Sequence, residues 1–102
     1  MLTSKQRAYL RGLAAKEDTI LQIGKDGITE KTAETMSDML RARELVKGRV
    51  LENSMLTARE ACEVLSERCR AEQVQVIGSK FVLYKRNEQK PVIELPKAAK
   101  KR

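Results

Sequence analysis

The sequence predicts a compact single α/β domain with the order helix, strand, helix, strand, helix, strand, strand. Three stretches carry apolar residues at helical spacing behind capping residues, and short β-rich runs follow each of them. The last two runs flank Gly78-Ser79, a pair typical of a two-residue hairpin turn with glycine first. Because strands that alternate with helices need crossover connections, we expect a sheet that is at least partly parallel and closes on an antiparallel hairpin.

Three threonines mark the starts of the predicted helices. Thr3 with Gln6, and Thr57 with Glu60, each match a capping box, in which two residues satisfy each other's backbone N–H groups. Thr29 is the third N-cap candidate, and an acidic residue follows it in the first turn, where a carboxylate suits the helix dipole. The predicted helices cover about residues 4–15, 30 to 42 or 43, and 58–70.

Four β-rich runs supply the predicted strands, over residues 19–23, 44–51, 74–77 and 81–84. Gly48 interrupts the second run, and a glycine inside a strand marks a bulge or a close approach by a neighbour. Met36, Met39 and Met55 are interpreted as core residues. Cys62 and Cys69 lie on one helix face, about 10 Å apart along the axis, so we expect two buried thiols rather than a disulfide.

The composition excludes several classes of site. The 102 residues include no His and no Trp, and only 3% are aromatic, so a histidine base, a zinc site and extensive base stacking are all ruled out. No cofactor or metal is expected. The sequence has no apolar run that could span a membrane and no signal-peptide pattern, so we expect a cytoplasmic protein.

The positive charge is concentrated at the end of the sequence. The net charge is +7, from 21 basic and 14 acidic residues, and residues 85–102 hold seven of the basic and two of the acidic ones. We therefore predict a folded domain over residues 1–86 and a mobile basic tail over residues 87–102. Acidic residues cluster on the third predicted helix, so the charge of the folded part is expected to be segregated.

The segment Gly24-Lys25-Asp26-Gly27 carries the chemistry. It joins a strand to a helix N-terminus, where free N–H groups and two residues without side chains let a phosphate approach closely. Lys25 adds a cation, Asp26 is expected to cap the turn, and Thr29 should hold the helix start in place. A lone G-x-x-G is more often a simple turn. Further basic residues could extend this candidate patch; they are Lys31, Arg41, Arg43, Lys47 and Arg49. The alternative interpretation of each is a side chain on a solvated face.

Five sequence blocks extend the match well beyond this loop. They cover residues 2–11, 22–29, 44–47, 74–78 and 82–86, and in this order they resemble the CRM domain (chloroplast RNA splicing and ribosome maturation), especially its small bacterial YhbY-like members. The resemblance implies a four-stranded mixed sheet similar to the C-terminal domain of translation initiation factor 3. It also implies RNA binding through the G-x-x-G loop and a role in assembly of the large ribosomal subunit. Arg43 stands where the family usually has His.

The sequence leaves three functional hypotheses, in this order. The first is a non-enzymatic RNA-binding protein that acts on ribosomal RNA or pre-ribosomal particles through residues 24–27 and the nearby basic side chains. The second is an adaptor that binds ribosomal proteins through the acidic third helix and the tail, without specific RNA recognition. The third, an enzyme, ranks well below these because no carboxylate pair is marked by spacing. The oligomeric state stays open.

Overall fold

The computed structural model describes residues 2–96. Helix α1 covers Ser4–Ala14, α2 covers Glu30–Arg43 and α3 covers Ala58–Cys69. Strands β1 to β4 cover Leu21–Ile23, Leu45–Val50, Glu72–Ile77 and Lys80–Tyr84. The predicted order of elements is therefore confirmed, with β1 shorter than expected and β3 longer.

The four strands form one mixed sheet in the order β1-β2-β4-β3. Strand β1 runs parallel to β2, as a crossover through α2 requires, and β4 runs antiparallel to both β2 and β3. Gly78, with φ +60°, begins the two-residue turn of the predicted hairpin. The register of the hairpin shifts between Gln73 and Gln75, so Val74 lies at a bulge.

Helices cover both faces of the sheet. On one face α2 and α3 bury Phe81 and Leu83 of β4 in the larger apolar cluster. On the other face α1 packs Leu10 against Val82 and Tyr84 in the smaller one. Strand β4 is thus buried on both sides, which is why its sequence is a continuous apolar run rather than an alternating pattern.

Each of the three helices begins directly after its predicted N-cap threonine. Thr3 and Gln6, and Thr57 and Glu60, form the expected capping boxes. At α2 the box is closed by two threonines: Thr29 Oγ1 accepts from the Thr32 N–H at 3.2 Å, and Thr32 Oγ1 accepts from the Thr29 N–H at 3.1 Å. The Thr32 hydroxyl thus takes the place of the usual Glu or Gln side chain in this capping box.

Gly48 marks a close approach, one of the two alternatives left by the sequence. A Cβ atom at this position would lie 2.4 Å from Cζ of Phe81, the residue opposite it on β4. The Phe81 ring therefore lies across the backbone of β2, and only glycine leaves it room.

Two expectations about packing have different outcomes. Cys62 and Cys69 are both buried and free, as predicted, and Met36 and Met39 pack in the larger cluster. The prediction for Met55 is wrong, because its side chain is 93% exposed in the loop between β2 and α3. This methionine follows no helical repeat, so the sequence held no pattern that could place it.

Residues 87–96 differ from the expected mobile tail. The buried carboxylate of Glu44 accepts the backbone N–H groups of Asn87, Val92 and Ile93 at 2.6, 2.8 and 2.6 Å. Ile93 and Leu95 pack against the smaller apolar cluster. The segment thus lies against the domain beyond the predicted boundary at residue 86. The rest of the predicted tail, residues 97–102, lies outside the described residues.

Candidate nucleic-acid interface

The G-x-x-G loop is an exposed turn between β1 and α2. The Gly27 N–H donates to the Gly24 carbonyl at 3.1 Å, which closes the turn through the backbone. Gly27 has φ +69°, a conformation that favours glycine. Lys25 and Asp26 occupy the exposed tip. Among residues 2–96, no hydrogen bond from the Asp26 side chain supports the expected cap, and the turn is closed by the backbone bond between Gly27 and Gly24.

A groove runs from this loop along the first turns of α2. Its volume is about 360 Å³. Lys25 and Lys31 supply its cations, while Thr29 holds the helix start beside it. The free N–H groups of the helix N-terminus add partial positive charge at the same place. Together these features offer an anion both hydrogen-bond donors and charge.

Two helix N-termini lie at this end of the sheet. Strands β1 and β2 are parallel, α2 follows β1, and α3 follows β2, so both helices begin beyond the carboxyl ends of their strands. The Leu51 N–H donates to the Ile23 carbonyl at 2.8 Å and ties the two chain segments together. A Cβ at Gly24 would lie 3.6 Å from Oδ1 of Asn53, so the β2–α3 loop borders the G-x-x-G loop. Ligands of open α/β sheets commonly bind at such an end.

The candidate site residues fall into separate groups in the structure. Gly24, Lys25, Asp26, Gly27, Thr29 and Lys31 surround the groove. Arg49 is exposed and pairs in register with Gln22, another lining residue, so it lies on the adjacent strand.

Lys47 and Arg43 do not join this group. The Lys47 ammonium donates to the carbonyls of Ala14 at 3.1 Å and Glu17 at 3.5 Å, so it caps the C-terminus of α1. Arg43 ends α2, roughly 20 Å along the helix from the loop. Helix α2 carries the chain away from the groove to Arg43, and Lys47 lies in the first half of β2, before that strand returns to the groove end.

Three polar lining residues were not among the predicted site residues. Gln22, Thr32 and Thr35 all border the groove. Gln22 is the exposed middle residue of β1, a position that strand alternation assigns to the surface and that lies two residues before Gly24. The threonines face the groove because they follow Thr29 and Lys31 at helical spacing, a pattern visible in the sequence.

The chain belongs to the CRS1 / YhbY (CRM) domain family, whose model matches residues 2–85. The match spans every helix and strand, including the loop and groove. The resemblance of the sequence blocks to this family is thereby confirmed.

Relatives of the chain are named for RNA binding. It is 38% identical to the probable RNA-binding protein YqeI of Bacillus subtilis, covering 94% of this chain and 100% of the relative. It is 31% identical to an RNA-binding protein of Haemophilus influenzae, covering 94% and 96%. The solution structure of the hypothetical protein SAV1595 from Staphylococcus aureus superposes with a TM-score of 0.73 at 49% identity, over 94% of this chain and 100% of that one.

Two further features are absent from residues 2–96. Within that range no helix is both long and apolar enough to cross a membrane. No cluster of three or more metal-ligating side chains occurs among the same residues.

Proposed function

We propose that this protein binds RNA through the G-x-x-G loop and the groove beside α2, and that the RNA is ribosomal RNA in an assembling large subunit in the bacterial cytoplasm. The family and the names of the relatives support RNA binding. The ribosomal target is taken from what the family resemblance implies. The observation that carries the proposal is the exposed Lys25 at the tip of a turn bounded by two glycines, shortly before a capped helix N-terminus.

The geometry favours the RNA backbone as the group that is recognised. Two glycines bound the turn and leave it open. The backbone of Gly24 is not in a conformation that requires glycine, so the missing side chain serves to leave space there. A phosphate can therefore reach the N–H groups of α2 while Lys25 neutralises its charge. With 3% aromatic residues the chain has few stacking partners for bases, so recognition of folded RNA by shape is expected.

The direct test is the Lys25→Glu variant against a matched Lys16→Glu control. Both lysines are exposed, and Lys16 lies outside the groove, so the two variants change the net charge equally. We expect Lys25→Glu to weaken binding of ribosomal RNA fragments far more than Lys16→Glu does. We also expect the free energy of unfolding to change by less than about 0.5 kcal/mol in both, because exposed sites contribute little to stability.

Salt dependence completes the test. Phosphate contacts make the logarithm of the affinity fall linearly with the logarithm of salt concentration, by roughly 0.7–0.9 per neutralised phosphate. Equal RNA affinities of the two variants, or an affinity that ignores salt, would overturn the proposed role of the loop. Retained binding of ribosomal proteins with no RNA binding would instead favour an adaptor that uses the exposed acidic residues of α3.

A further inference from the structure

A second basic surface lies at the end of the domain opposite the G-x-x-G loop. Here α2 and α3 both end beside Lys85, whose N–H donates to the Glu44 carbonyl at 2.8 Å and whose ammonium donates to the Cys69 carbonyl at 2.9 Å. We call the basic residues at this end the distal basic surface; they are Arg41, Arg43, Arg70, Lys85 and Arg86, all exposed.

Arg86 stands where three grooves of the distal end meet. The first groove, about 290 Å³, lies between α2 and the chain after β4, with Arg41 and Lys85 on its walls. The second, about 470 Å³, holds Arg70, and the third, about 540 Å³, runs along residues 91–96. Glu72, Glu88 and Glu94 are the carboxylates that line the three grooves, against four cations. The excess positive charge is thus collected around one guanidinium.

The backbone around Arg86 is fixed by contacts that hold its position. Glu44 is fully buried and binds the N–H groups of Asn87, Val92 and Ile93. The Asn87 side chain donates to the Arg41 carbonyl at 3.0 Å. A cation on a fixed backbone loses less conformational freedom on binding than one on a free tail.

Arg70 adds an independent argument. It is the C-cap of α3 and adopts φ +57°, a left-handed conformation in which glycine or asparagine is the usual residue. A glycine would hold this helix end at lower backbone cost. The left-handed backbone therefore does not favour arginine. Its charge suits the C-terminal end of the helix dipole, and its exposed guanidinium is also placed to contact a phosphate.

We propose that the distal basic surface is a second phosphate-binding surface for the same RNA. This inference rests on the proposed function and extends it: the two surfaces lie about 20 Å apart, the length of α2, so one RNA that contacts both must be a folded element rather than a few nucleotides. Arg70 and Arg86 are its central contacts, since a guanidinium can donate two parallel hydrogen bonds to a phosphate. Arg41 contributes less because it pairs with Asp38 at 2.8 Å.

The test compares two double variants of equal charge change. Arg70→Gly with Arg86→Gln removes two cations from the distal surface, and Arg11→Gln with Lys16→Gln removes two exposed cations elsewhere. The probes are a ribosomal RNA stem-loop long enough to span the domain and a single strand of about four nucleotides, the length that a G-x-x-G loop clamps. Unfolding of both variants is followed in parallel.

The outcomes separate this inference from the proposed function. We expect the distal variant to bind the stem-loop more weakly than the control does, with a salt slope lower by about 2, while binding of the short strand is unchanged. Equal stem-loop affinities of the two double variants, with wild-type binding intact and Lys25→Glu defective, would overturn the distal surface alone. Absence of RNA binding by the wild-type chain would overturn both proposals.

Discussion

The carboxylate of Glu44 accepts the backbone N–H of Ile93 at 2.6 Å, across 49 positions of the sequence. Glu44 itself has φ +67° at the C-terminus of α2, and this turn directs its side chain into the domain. A buried carboxylate needs several hydrogen bonds to compensate for lost hydration. Glu44 accepts these hydrogen bonds from the segment after β4, and they hold that segment against the domain.

The Glu44→Gln variant tests whether this carboxylate holds the segment after β4 against the domain. The substitution keeps the shape but removes the charge and turns an NH₂ group toward backbone donors, so we expect a loss of roughly 2–3 kcal/mol in the free energy of unfolding. Amide hydrogen exchange at Asn87, Val92 and Ile93 should accelerate before that of the sheet. Glu88→Gln, an exposed change in the same segment, is the control and should alter neither quantity. Unchanged exchange at the three amides in Glu44→Gln would refute the role of this carboxylate.

Gly48→Ala tests the contact between β2 and the Phe81 ring. A Cβ there would lie 2.4 Å from Phe81 Cζ, and Phe81 is fully buried, so the core must shift. We expect a loss of about 1–3 kcal/mol in unfolding experiments, and partial recovery when Phe81→Leu is added. Gly12→Ala is the control: an added Cβ there meets no heavy atom within 4 Å, and alanine favours a helix. Equal stabilities of the two single variants would contradict the packing.

Lys47→Met tests which role Lys47 has. Its ammonium binds the Ala14 and Glu17 carbonyls after α1, so we expect a loss of about 1–2 kcal/mol in the free energy of unfolding. RNA affinity of the folded variant should fall no further than in Lys16→Met. A strong loss of RNA binding with unchanged stability would restore Lys47 to the interface.

Alkaline pH should destabilise the protein through Cys62. Burial raises the pKa of this thiol from 9.0 to about 11, with the charge of Glu63 adding to the effect and that of Arg59 opposing it. Above pH 9 the unfolded chain loses this proton while the folded chain keeps it. The free energy of unfolding should therefore fall between about pH 9 and 11, by at most ~1.4 kcal/mol per pH unit from this group. Cys62→Ala should show a shallower decline over that range in denaturant titrations; an identical slope would contradict the assignment.

Local signals in the sequence predicted much of the fold because they act within a few residues. Thr3, Thr29 and Thr57 begin helices through bonds to residues three positions ahead, and these bonds form as expected. Gly48 indicated a bulge or a close approach, but the sequence did not identify Phe81, its partner 33 positions away. The G-x-x-G groove was predictable for the same reason as the caps, since one strand, one turn and one helix start form it.

Contacts over long sequence distances could not be predicted in this way. Lys47 looked like a free cation because its acceptors, the carbonyls of Ala14 and Glu17, lie 33 and 30 residues earlier, at and just after the end of α1. Residues 87–96 looked like part of a tail because the strand pattern breaks at Asn87 and two prolines follow, while their anchor, Glu44, lies at the end of α2. Arg43 and Arg86 carried no sign that the fold brings the ends of α2 and β4 together.

The most direct test of the central claim is an NMR titration of the ¹⁵N-labelled protein with a ribosomal RNA stem-loop. The amide signals of residues 24–31 report on the G-x-x-G loop and the start of α2. We predict that these signals shift or broaden most, that the signals of the distal basic surface follow, and that higher salt reverses both changes. Perturbations confined to the acidic face of α3, with residues 24–31 unaffected, would contradict the account.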